Sequence, residues 1–85
     1  MTGLTPAVVW ADRAEWARCR QAQATTAADY IADRPKRPDD LWLAELHTTL
    51  ARIERDRAAA YAEYAFLCET AFQNAALHEM TGDVA

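Results

Sequence analysis

Eighty-five residues with a net charge of −4 and an isoelectric point near 5.0 make one domain at most, and they lack the concentrated positive field that general nucleic-acid binding requires. No apolar run approaches the roughly 18 residues needed to span a bilayer, and no charged segment followed by an uninterrupted apolar core opens the chain, so no membrane partner is expected and the location reads as cytoplasmic. The 52% hydrophobic content overstates the core, because 20 of those 44 residues are alanine and only 24 are larger.

At roughly 1.5 to 3 kcal/mol per fully buried large side chain, against roughly 1.5 kcal/mol of entropy per ordered residue, a lone chain of this composition is marginal. Self-association or a partner would make up the difference. Cys19 and Cys68, without a secretory signal, read as reduced and buried thiols. Arginine exceeds lysine eight to one, which suits the coding bias of a GC-rich genome, and the small size would suit a phage accessory protein.

Thr5-Pro6 is a helix start: threonine can accept a free backbone amide, and proline fits the first helical position, where no amide partner is needed. The first helix is predicted over about 6–33 and a Pro-rich turn over 34–39, since Pro35 disfavours helical geometry at Arg34 and Pro38 blocks resumption. Arg34, Lys36 and Arg37 are balanced there by Asp33, Asp39 and Asp40, so the segment reads as a solvated bend rather than a basic recognition loop. Asp39 or Asp40 can cap a second helix over about 40–81, which has no glycine or proline until Gly82. A break near Arg55–Tyr61 is conceivable, but its alanines favour continuity.

Heptad spacing draws a main stripe on the second helix through Leu43, Leu46, Leu50, Ile53, Arg57, Ala60, Tyr64, Leu67 and Ala71, widened by Tyr61, Cys68, Phe72 and Ala75. A narrower stripe in the latter half, through Ala59, Ala62, Phe66, Thr70, Gln73, Leu77 and Met80, follows roughly the opposite side. The first helix shows two seams, one through Val9, Trp16, Cys19, Gln23, Ala27 and Tyr30, the other through Trp10, Ala14, Ala17, Gln21, Ala24, Ala28 and Ile31.

The architecture expected is therefore all-α: an antiparallel helical hairpin with a long, coiled-coil-like second helix. Folding about the bend sets Tyr30 opposite Leu43, Gln23 opposite Leu50 and Trp16 opposite Arg57, leaving residues 68–81 projecting by roughly 20 Å. Such a projection, apolar on two sides, asks for cover. A homodimer packed as a four-helix bundle is the favoured solution, with a foreign protein partner as the other. Trp10, Phe66, Cys68, Phe72, Leu77 and Met80 are the partner-binding candidates.

Chemistry is sparsely supported. Arg57 interrupts the main stripe and is expected as a buried charge stacked on Trp16 or paired with Asp12, Glu15 or Glu54. His47 and His78 stand many turns apart with no ligand at metal spacing. Serine is absent, both cysteines fall on core stripes, and Gly3 and Gly82 cannot build a phosphate-cradling loop. No catalytic, cofactor or metal residue is assigned. The function expected is a non-enzymatic protein-interaction module, an adaptor, inhibitor or assembly component; the alternative is a small helical enzyme or ligand-binding bundle using Arg57 at a dimer interface.

Overall fold

The computed structural model describes residues 5–34 and 41–80. These form two α-helices, α1 (Pro6–Ala32) and α2 (Leu41–Met80), packed against each other along their lengths. The Pro-rich bend, the capping role of Asp39 or Asp40 and the stop at Gly82 lie outside the described residues.

α1 begins as the Thr5-Pro6 pair requires. Thr5 is extended (φ −90°, ψ 163°), and its side-chain oxygen accepts the Val8 amide at 3.2 Å, with Pro6 in the first turn. The helix ends at Asp33 in right-handed geometry (φ −86°, ψ −2°), with the amides of Asp33 and Arg34 donating to the Asp29 and Ile31 carbonyls at 2.9 and 3.3 Å. α2 runs unbroken for 40 residues, passing through Arg55–Tyr61 without interruption. Ala58, Ala59 and Ala60, the strongest helix formers, hold its middle.

The contact between the helices is made of methyl groups. Ala7, Ala14, Ala17, Ala24 and Ala28 of α1 and Ala51, Ala65 and Cys68 of α2 are the buried residues, and among the described residues no large side chain is fully buried. The spacing is heptad. Ala7, Ala14, Gln21 and Ala28 alternate with Trp10, Ala17, Ala24 and Ile31, while Ala44, Ala51, Ala58 and Ala65 alternate with His47, Glu54, Tyr61 and Cys68, and all are buried or half-buried. Alanine at these positions lets the two backbones approach closely, which a stripe of leucines would prevent.

This inverts the expected seams. The α1 seam that carries Trp10, a partner-binding candidate above, is the one that meets α2, and the seam through Trp16 and Tyr30 faces out. On α2 the stripe Leu46, Leu50, Ile53, Tyr64 and Leu67 is likewise exposed.

The register also differs from the one read off the bend. The Ala7 amide donates to Glu79 Oε2 at 3.2 Å, and Arg18 grips Glu69. The end of α2 therefore lies beside the start of α1, and residues 68–80 do not project. The unmatched end is the other one. Ala27 and Glu54 line one groove, so the last five residues of α1 reach to about residue 49 and roughly the first two turns of α2 extend beyond it.

The result is a ribbon one helix thick, with principal extents of 68 × 22 × 14 Å and a radius of gyration of 19.4 Å. A compact chain of this length would have a radius of about 12 Å. The chain exposes 6521 Å², against roughly 5000 Å² for a compact monomer of its mass. Among the described residues, nothing lies over either broad face.

Candidate functional site

One broad face holds most of the large apolar side chains. Flanking the alanine seam on one side, α1 places Val9, Trp16, Gln23, Ala27 and Tyr30, and α2 places Leu43, Leu46, Leu50, Ile53, Tyr64 and Leu67. Of these, Trp16 is 48% exposed, Tyr30 64%, Ile53 44% and Leu67 59%, with Leu46, Leu50 and Tyr64 each at 39%. Trp16 meets Tyr61 and Tyr64 edge-on, with ring centroids 5.6 and 6.0 Å apart, so the two helices share a continuous surface there.

Guanidinium groups rim this face. Arg13 lies over the Trp10 ring at 5.5 Å, Arg20 over Trp16 at 5.6 Å and Arg34 over Tyr30 at 5.3 Å. Arg34 also donates to the Tyr30 hydroxyl at 3.0 Å. From α2, Arg57 sits in an open groove of about 220 Å³ lined by Arg20, Gln23, Ala24, Ala27, Glu54 and Tyr61. Its Nη1 stands 3.8 Å from Glu54 Oε1, and its side chain is 59% exposed. The expected buried charge is thus a surface charge, because the stripe it interrupts points outward. The guanidinium over Trp16 belongs to Arg20 instead.

The opposite face carries mainly small and polar side chains, with Val8 and Phe66 exposed among them, and an ion pair crosses it. Arg18 donates from Nε and Nη2 to the two carboxylate oxygens of Glu69 at 3.0 and 2.9 Å, and from Nη1 to Gln21 Oε1 at 2.9 Å. The hydrogen bonds from Arg18 hold the Glu69 carboxyl below its ordinary range and raise the guanidinium in turn. Arg52 and Asp56 face solvent one turn apart at 4.0 Å, a contact of small consequence.

The partner-binding candidates scatter. Cys68 is 3% exposed within the seam and Trp10 is half-buried in it, so neither presents an open surface. Phe66, Phe72, Leu77 and Met80 are exposed. Helical spacing puts Phe66 on the polar side of the ribbon and Leu77 on the outer surface of α2. Cys19 is exposed and Cys68 buried, and both are free thiols. Among the described residues, no group of His, Cys, Asp and Glu gathers as a metal site, and no helix is long and apolar enough to cross a membrane. Near the start of α2, the buried His47 Nδ1 has no hydrogen-bond partner among the described residues.

The residues that sequence periodicity left inside, Trp16, Tyr30, Leu46, Leu50 and Ile53, are the ones the fold turns out. The signal for this was the alanine repeat at seven-residue steps on both helices. No family model, curated protein or solved structure matches the chain.

Proposed function

We propose that the protein is a non-enzymatic interaction module whose working surface is the apolar face built jointly by α1 and α2. One observation carries this reading: the helices meet through alanines, while Trp16, Tyr30, Leu46, Leu50, Ile53, Tyr64 and Leu67 stand exposed on one side. A hairpin needing only to satisfy itself would turn these residues in. Contiguous apolar surface of this kind is a docking site in a soluble protein, and the excess exposed area over a compact monomer is of the size that standard interfaces bury per partner, about 800 Å² or more. A soluble adaptor, inhibitor or assembly component would use such a surface.

The face is as wide as two helices, so two further helices complete a four-helix bundle over it. Two copies laid face to face would do this, giving the homodimer; a helical partner of different sequence would do it as well. Either occupant supports the reading. The direct test places a photo-crosslinking side chain at Ile53 and, separately, at Phe66 on the other side of the ribbon, in the full chain in its native cell. Position 53 is expected to yield a discrete adduct that disappears with Leu50→Asp, and position 66 far less. Equal yields from both positions, or none from 53, would overturn the proposal.

A further inference from the structure

The charge on the apolar face separates its two possible occupants. Arg13, Arg20 and Arg34 stack on their rings and have no carboxylate within ion-pair distance among the described residues, while Arg57 has only Glu54, at 3.8 Å. The acidic side chains lie elsewhere: Asp12, Glu15, Asp29, Asp56 and Glu63 take outward or opposite-face positions on their helices. A chain of net charge −4 therefore presents a cationic apolar face. Each of these guanidinium carbons lies 5.3–5.6 Å from a ring centroid, and a cation held over a ring still has N–H donors to offer a carboxylate.

A second copy is poorly matched to this surface. A two-fold interface sets a patch against itself, and Glu54, the carboxylate in the groove of this face, is already beside Arg57, so a second copy brings more arginines than carboxylates to receive them. A nucleic-acid backbone would answer the arginines but leave Leu46, Leu50 and Ile53 uncovered, on a protein whose overall charge repels it. Resting on the interaction-module reading above, we propose that the face docks an acidic amphipathic helix of a different protein, its apolar residues on Ile53, Tyr64 and Leu67 and its carboxylates toward Arg13, Arg20 and Arg57.

The test titrates the full chain with two labelled synthetic helical peptides that share a leucine heptad stripe, one flanked by glutamates and the other by lysines, read by fluorescence anisotropy. The glutamate peptide is expected to bind at least about tenfold tighter, with affinity falling as salt rises. Arg13→Glu combined with Arg20→Glu should reverse that preference while circular dichroism shows the helices intact. Equal binding of both peptides, or preference for the lysine peptide, overturns the acidic partner. So does salt-sensitive binding of a DNA duplex that is lost in the double variant. An Ile53 crosslink to a second copy also overturns it, yet leaves the interaction-module reading standing. If neither peptide binds and position 53 captures nothing, both fall.

Discussion

Glu69 is the residue whose ionisation most directly reports the packing of the two helices. Its carboxylate is held by Arg18 across the helix pair, so its pKa is depressed in the folded chain relative to the unfolded one. A group with a lowered folded pKa adds stability above its unfolded pKa and loses it as pH falls through the folded value. Urea titration should therefore find the wild type more stable than Glu69→Gln at neutral pH, with the gap closing below the ordinary carboxylate range. Because both side chains are open to solvent, the gap should also shrink with salt. A gap that persisted in acid would mean the pair is not what Glu69 contributes. At the other end of the ribbon, Glu79 accepts the Ala7 amide, placing a negative charge at the positive end of α1 and helping to fix the register.

The elements themselves were legible in the sequence to a large extent. Thr5-Pro6 opens α1, and the freedom from glycine and proline through the alanines at 58–60 carries α2 across its middle. Ala59 is exposed at that point, so Ala59→Gly should cost about 1 kcal/mol by chemical denaturation, the cost of glycine inside a helix. No loss would indicate a break there. What the sequence concealed was orientation. Leucine, isoleucine and tyrosine give a strong periodic signal and alanine a weak one, so a search for apolar stripes selects Leu46, Leu50 and Ile53 over Ala44, Ala51, Ala58 and Ala65. Close approach of two backbones obeys the opposite preference and rewards the smallest side chains. α1, with alanines toward its neighbour and Trp16 and Tyr30 away from it, has scarcely any net apolar direction for a periodicity search to find. The register was misplaced for a related reason: folding symmetrically about the bend assumes that the helices start level, whereas Arg18 with Glu69 and Ala7 with Glu79 set the first turns of α2 beyond the end of α1.

At the scale of the whole molecule, an alanine seam and an apolar face are two consequences of one arrangement. A ribbon 14 Å deep has no interior in which large side chains can be enclosed, so what the seam cannot accommodate must lie on a broad surface. The charges divide along the same line, with stacked arginines beside the exposed apolar residues and a self-satisfied Arg18–Glu69 pair on the reverse. Stability and function are coupled in such a molecule, because burial that a self-contained domain would achieve within itself is completed by whatever covers the face. All of this depends on which residues lie between the helices. The most direct measurement is the thermal melt of Ala65→Leu, followed by circular dichroism. With Ala65 fully enclosed in the seam, the added volume should force the backbones apart and cost about 1–3 kcal/mol, lowering the midpoint by about 5 °C or more. An unchanged or higher midpoint would place Ala65 on an open surface and the leucine stripe in the core, contradicting the account.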